Sequence, residues 1–328
     1  MPKTELLSSA ESAAHAAKLA SVGHFSYSSD SMATDALRKL CDSKYHCDFY
    51  EACSEESLVS SAFAAAALGK RTMASFSGSG GVAAASSLRL PVVFLSSLEQ
   101  ALSCRDSGCI IFMPESNQEI MDSIIQACKI SESAGLPSVV GIDDLSFMEP
   151  VTLHTEQFCA SFIPKTRPKY NPKNPESIPG ATKAEQQIAM RNAAKLIPKI
   201  DEAWKRLKRS GGYSEKFLLD DADYVFIVYG SDSMTAKAAI TKMRAAGEKV
   251  GLLRLRIIRP WMEFGLPGKK AAVIDRSVSL GKAGVLHSEI GNKNYSNFIS
   301  FRKLAENDFF EMLKKMKSLE SPERIWIE

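Results

Sequence analysis

Short apolar runs alternate along this chain with stretches patterned for helices. Arg89–Ser96 (RLPVVFLS), Cys109–Met113 (CIIFM) and Leu136–Ile142 have strand length. Between the last two, the capping box Ser116-x-x-Glu119 opens a helix to Ser133. Ile120, Ile124 and Cys128 share one of its faces, and Gly135 stops it. Earlier, Cys47–Ala52 predicts a strand, Leu58–Leu68 a small-residue helix and Arg71–Phe76 a second strand. An acidic pair, Glu55 and Glu56, precedes that helix, and a Gly/Ser turn, Ser77–Gly81, ends that strand. At the start, alanine-rich Thr4–Ser21 predicts a helix. The hydroxyl-rich Gly23–Met32 predicts a polar turn, in which Asp30 or Ser31 caps a helix over Met32–Cys41.

The pattern is interrupted at Phe162–Gly180, which carries five prolines and predicts an ordered surface connector. The box Thr182-x-x-Glu185 then opens a long helix to about Arg209, with a kink expected at Pro198. A second series follows: strand Asp223–Val228, turn Tyr229–Ser231, helix Ser233–Ala246 closed by Gly247, strands Lys249–Ile258 and Ala271–Asp275, and helix Asn307–Ser318. Strands alternating with helices predict largely parallel sheets covered on both faces. The 328 residues are enough for two domains, expected at 1–211 and 212–328.

Charge and cysteine usage exclude several classes. A net charge of +3 with mixed signs leaves no nucleic-acid footprint. The cysteines at 41, 47, 53, 104, 109, 128 and 159 include no CxxC pair, so no zinc ribbon or ferredoxin-type cluster is written here. Free thiols in apolar runs predict a reducing, cytoplasmic setting. No apolar run approaches the ~20 residues of a membrane span, and no signal peptide is expected. The five histidines have no metal-ligand spacing. Lys205, Arg206, Lys208 and Arg209 read as a solvated helix end.

The chemistry concentrates at Glu55. A carboxylate where a strand hands over to a helix sits beside the crevice of a parallel sheet and can do proton chemistry there. Acids also favour first helical turns for the dipole alone, so the residue by itself leaves both readings open.

The order of the motifs resembles one family, the alpha subunits of the archaeal and bacterial 2-oxoacid:ferredoxin oxidoreductases, which include pyruvate:ferredoxin oxidoreductase. The resemblance rests on SAESAA (9–14), the hydroxyl turn at 25–31, CSEES (53–57), RLP (89–91), CRDSG (104–108), SNQE (116–119), MEPV (148–151), the proline-rich stretch, GEKVGLLRLRIIRPW (247–261) and AVIDRSVSLG (272–281). It implies an α/β chain. A thiamine-diphosphate-binding, pyrimidine-type parallel-sheet domain comes first, and a transketolase C-terminal-like α/β domain follows. It implies coenzyme A-dependent oxidative decarboxylation of pyruvate, or the reverse, with electrons passing to ferredoxin. Thiamine diphosphate is then shared with a beta subunit, gamma and delta subunits join where present, and magnesium and an iron–sulfur cluster belong to partners.

Carried over residue by residue, Glu55 matches the glutamate that contacts N1′ of the cofactor pyrimidine and promotes its imino tautomer. Ser28 matches a substrate-contacting threonine, although the prolines of that turn are gone and a helix-capping role is the alternative. Gly78, Gly80 and Gly81 match a turn beside the cofactor, against the plain alternative of a strand-to-helix turn. The family arginine that pairs with the substrate carboxylate has no counterpart: the position falls on Glu99 or on no residue. Arg105 matches a structural position, and the loops are shortened. Two further readings therefore stand beside the first, a non-catalytic scaffold paralogue and the same reaction on another 2-oxoacid.

Overall fold

The computed structural model describes residues 3–28, 33–76, 81–82, 86–143, 147–164 and 182–327. These divide into two compact units, Met1–Gly212 with Ile257–Trp261, and Tyr213–Arg256 with Met262–Glu328. In chain order the first holds β1 (Thr4–Ser8), α1 (Ser9–Leu19), β2 (His24–Tyr27), α2 (Thr34–Leu40), β3 (Asp48–Glu51), α3 (Glu55–Ala67), β4 (Thr72–Ser75), β5 (Val92–Ser97) and α4 (Leu98–Ser103). It continues with β6 (Ile110–Phe112), α5 (Asn117–Ala134), β7 (Ser138–Ile142), β8 (Met148–Thr152), α6 (Glu156–Phe162) and α7 (Lys183–Lys205). Then come β9 (Ser214–Phe217), β10 (Tyr224–Tyr229), α8 (Asp232–Ala245), β11 (Val250–Leu255), β12 (Ile257–Arg259), β13 (Lys270–Asp275), α9 (Val285–Ile290), β14 (Ser296–Ile299), α10 (Glu306–Ser318) and β15 (Arg324–Trp326).

The main sheet of the first unit has the order β12-β6-β7-β5-β4-β2-β3. All its neighbours are parallel except β12 on β6. Its middle strands are buried along nearly their whole length, as a sheet covered on both faces requires. Phe94 lies at the centre, 5.5 Å from Phe76 edge-on and 6.0 Å from Phe63. At the amino ends of the strands, Arg71 forms a two-pronged pair with Glu132 at 2.5 and 2.9 Å and also donates to the carbonyls of Ala20 and Pro164.

Several expectations are corrected in this unit. Thr4–Ser8 is a strand, antiparallel to β8, with Leu7 buried. The helix starts only at Ser9 because Ser8 is its N-cap: Glu11 takes the Ser8 amide while the Ser8 hydroxyl takes the Glu11 amide. The expected polar turn contains a central strand, β2, whose Phe25 and Ser26 have no exposure and whose Ser26 hydroxyl bonds His24 Nε2. The N-cap of α2 is Ala33, in the left-handed region at φ 68° and without a side-chain bond; Asp30 and Ser31 lie outside the described residues. On α5 only half of the expected box forms. Ser116 caps Glu119, but the Glu119 carboxylate accepts from the amide of Glu115.

The connector expected at Phe162–Gly180 lies outside the described residues from 165 onward; Phe162 itself closes α6, which the proline pattern hid. The Thr182/Glu185 box opens α7 as expected. Pro198 sits inside that helix, which continues to Lys205. Arg209 is not part of a solvated helix end. Its guanidinium bonds Asp122 at 3.0 Å, His154 at 3.0 Å and the carbonyl of Thr152 at 3.1 Å, in a node where Asp122 and His154 are themselves buried.

The second unit is a sheet of order β15-β14-β13-β10-β11-β9, parallel except for β9 on β11. Its core includes Phe226, Ile240, Phe298, Phe309 and Met312, with Phe226 and Phe309 edge-on at 5.5 Å. The single strand expected at Lys249–Ile258 breaks at Arg256, and β12 belongs instead to the first unit's sheet. Strands β9, β14 and β15 were not foreseen. They are three or four residues long, and β9 and β15 lie at the sheet edges. Among the described residues, no helix is long and apolar enough to cross a membrane.

Candidate cofactor site at the strand ends

Parallel β2, β3, β4 and β5 deliver four successive chain turns to one edge of the first unit's sheet. Ser28 follows β2, Glu55 follows β3, Gly81 follows β4, and Ser97 begins α4 at the end of β5. Crevices outside the carboxyl ends of such strands are where open α/β sheets bind ligands.

The two acids of the turn after β3 divide their work. Ser54 is the N-cap of α3. Its hydroxyl accepts from the amide of Ser57 at 3.2 Å, and the Ser57 hydroxyl accepts from the amide of Ser54 at 3.2 Å. Glu56 is exposed, and its carboxyl is held below the usual range by its own backbone amide first and by the Ser54 hydroxyl next. The helix start is therefore served without Glu55. The half-buried Glu55 side chain turns away and accepts the amide of Gly81 at Oε1, 3.2 Å. Among the described residues its second oxygen has no hydrogen-bond partner. Buried Cys104 feels that charge: its thiol is pushed up to about 11, by burial first and by Glu55 second.

Such a carboxylate has the chemistry that an aminopyrimidine ring nitrogen requires: an oxygen able to share a proton, oriented by a backbone donor, at a partly dried strand end. Glu55 therefore fits the pyrimidine end of thiamine diphosphate. Ser28 is half-buried, and its hydroxyl has no partner among the described residues. Gly78 and Gly80 lie outside the described residues. Gly81 is brought to Glu55, a pairing that the two separate motifs did not reveal.

After β5 the chain enters α4 without an intervening loop. Ser97 and Gln100 form a reciprocal capping box, and Glu99 is exposed in the first turn. Arg105 donates to the carbonyl of Leu102, and its own carbonyl accepts from Arg259 Nε at 3.1 Å. No three metal-ligating side chains converge among the described residues. A cavity of about 860 Å³ is lined by Lys18, Asp42, Tyr45, Arg71 and His154 at the other, amino, end of the sheet. Glu55 does not line it.

Two family models match the chain: "Pyruvate flavodoxin/ferredoxin oxidoreductase, thiamine diP-bdg" over residues 96–208, and "Pyruvate:ferredoxin oxidoreductase core domain II" over residues 222–308. Pyruvate synthase subunit PorA of Methanocaldococcus jannaschii is 29% identical over 383 positions, covering 100% of this chain and 98% of its own. Over its whole length the chain is similar to the alpha-type subunits of the 2-oxoacid:ferredoxin oxidoreductase family. Because that alignment is longer than the 328 residues here, the PorA relative carries segments this chain lacks. A structure of 2-oxoglutarate:ferredoxin oxidoreductase from Magnetococcus marinus matches with TM-score 0.71 and 16% identity, over 96% of this chain and 65% of that one. Transketolase from Campylobacter jejuni matches with TM-score 0.54 and 10% identity, over 94% of this chain and 45% of that one. The fold class is thus that of thiamine-diphosphate-binding α/β proteins. Glu55 lies outside the matched thiamine segment, so its role rests on the local geometry and the motif around it.

Proposed function

We propose that this chain is the alpha subunit of a coenzyme A-dependent 2-oxoacid:ferredoxin oxidoreductase, with pyruvate as substrate. The observation that carries the reading is Glu55: a carboxylate not used for capping, fixed through one oxygen, whose other oxygen has no partner among the described residues at the strand ends of a thiamine-type fold. The overall reaction joins a 2-oxoacid and coenzyme A, releases carbon dioxide, and passes two electrons to ferredoxin.

Thiamine diphosphate, when bound, supplies a nucleophilic carbon and a sink for the electron pair left by decarboxylation. Glu55 shares a proton with N1′ of the pyrimidine and so sets which ring tautomer is held. Ser28 offers a hydroxyl, donor and acceptor, to the 2-oxoacid. Gly81, and by the motif they share with it Gly78 and Gly80, are the residues assigned to contact the cofactor. A beta subunit contributes the diphosphate and magnesium site and an iron–sulfur cluster. Gamma and delta subunits, where present, complete the path to ferredoxin in a cytoplasmic complex. The domain assignment that goes with this reading is a pyrimidine-type domain at 1–211 and a transketolase C-terminal-like domain at 212–328.

One observation favours a second reading. After β5 the position of the carboxylate-clamping arginine falls on exposed Glu99 or on no residue, and a glutamate there would repel the group that a guanidinium holds bidentately. A scaffold paralogue, or a subunit acting on a different 2-oxoacid, accounts for that loss. The test is reconstitution with the beta subunit, thiamine diphosphate, magnesium and coenzyme A, followed by low-potential dye reduction with a panel of 2-oxoacids. Reduction with pyruvate is expected, and reduction with another acid instead reassigns the substrate. A complex that assembles with its cluster and reduces dye with no acid establishes the scaffold.

A further inference from the structure

The Glu55–Gly81 contact assigns work to a residue that carries no functional group of its own. The Gly81 amide donates to Glu55 Oε1 at 3.2 Å. A Cβ added to Gly81 would lie 3.1 Å from Val59 Cγ2, a tight approach, and 3.5 Å from Glu55 Cγ, an ordinary contact, so the Gly81 backbone packs closely on the first turns of α3. A side chain there would have to displace Val59 or move the amide away from Glu55. Ser54, Ser57 and Glu56 already occupy one another at the helix start, leaving this amide as the described donor to the Glu55 carboxylate.

We propose that Gly81 is a positioning residue: its amide, brought close by the missing side chain, pins one oxygen of Glu55 and leaves the other for the cofactor pyrimidine. The inference rests on the reading of Glu55 given above. A glutamate has several rotatable bonds, and without a donor at one oxygen its carboxylate samples orientations that do not serve a ring nitrogen. A hydrogen bond to a charged group is the stronger kind, so its loss should cost about tenfold in the step that Glu55 promotes.

The test uses the complex assembled with its beta subunit and loaded with cofactor. The readout is the rate of deuterium exchange at the cofactor's thiazolium carbon with no 2-oxoacid present, alongside cofactor affinity and the KM of the 2-oxoacid. Val59→Ala serves as the reference background, since it makes room for a Cβ. Gly81→Ala should slow exchange severalfold, and adding Val59→Ala should recover most of that loss, because the amide remains. Gly81→Pro with Val59→Ala, which fits a similar bulk but has no amide proton, should stay about tenfold slow with KM unchanged. If the proline variant does not assemble, the alanine pair decides on its own.

Exchange at the wild-type rate in the assembled proline variant overturns the inference, as does a Gly81→Ala variant that loses thermal stability while exchanging normally. Glu55→Gln separates the two levels. If it slows exchange while the Gly81 variants do not, only the positioning role fails. If it exchanges at the wild-type rate, the reading of Glu55 fails and the inference with it.

Discussion

Each unit places a carboxylate just where a parallel strand ends, and the two have opposite fates. Asp275 closes β13 with no exposure. Its Oδ1 accepts the Leu286 amide at 2.7 Å, and its Oδ2 accepts the His287 amide at 3.1 Å and Asn297 Nδ2 at 2.9 Å. Both oxygens are held by fixed protein donors, two of them amides in the first turn of α9, so Asp275 is a cap built into a core. Glu55, after β3, has one oxygen on one amide and the other without a partner among the described residues. Strand-end position and charge are shared; what separates a structural acid from a chemical one is whether the fold has used up its oxygens.

Three experiments sharpen that contrast. The largest effect is expected at Gly284, whose added Cβ would fall 2.0 Å from Asp275 Oδ2 and 2.4 Å from its Cγ. Overpacking of that degree cannot be absorbed without moving the cap, so Gly284→Ala should destabilise the second unit by about 3 kcal/mol or more, read by chemical denaturation. The Glu55 environment should be untouched.

The next concerns proton linkage. Burial pushes the Asp275 carboxyl up to about 6, and the three hydrogen bonds only partly oppose that. A folded-state value above the unfolded one means the folded chain binds the extra proton. The resulting stability is full below about pH 4 and is lost as pH rises through about 6, amounting to about 3 kcal/mol on the usual conversion. Asp275→Asn cannot titrate. The difference in unfolding free energy between wild type and Asp275→Asn, measured from pH 4 to 7, should slope in that direction and flatten above about pH 6. A difference that stays constant across the window would place no linked proton on Asp275.

The smallest effect is expected at Ser54. Its box with Ser57 starts α3 independently of Glu55, so Ser54→Ala should cost about 1 kcal/mol of stability in thermal unfolding. Loss of much more would mean that the cap also holds the Glu55 turn in place.

The alternation of strands and helices was legible because the long elements announce themselves: β5, β7, α5, α7, α8 and α10 fall within a few residues of their apolar runs and caps. Short elements that borrow stability from neighbours were not. β2 has only Phe25 and Tyr27 to suggest a strand, and its serine and histidine satisfy each other. β1 exists because β8, far along the chain, pairs with it. At the site, Glu55 was visible through its motif, but an acid in a first helical turn carries no signal of whether it caps. That became clear only when Ser54, Ser57 and Glu56 were found to serve the helix start among themselves. The Gly81 amide was invisible for a simpler reason: it lies 26 residues away along the chain.

The central claim is that Glu55 is the chemical carboxylate of this chain. Its most direct test is the turnover of the reconstituted complex, measured as dye reduction with its preferred 2-oxoacid, for wild type and Glu55→Gln side by side. Turnover about 100-fold lower or worse in Glu55→Gln, with assembly and thermal stability unchanged, is the predicted result, on the scale of acid–base catalysis. Equal turnover from an equally assembled complex would contradict the claim and leave Glu55, like Asp275, an acid of the fold.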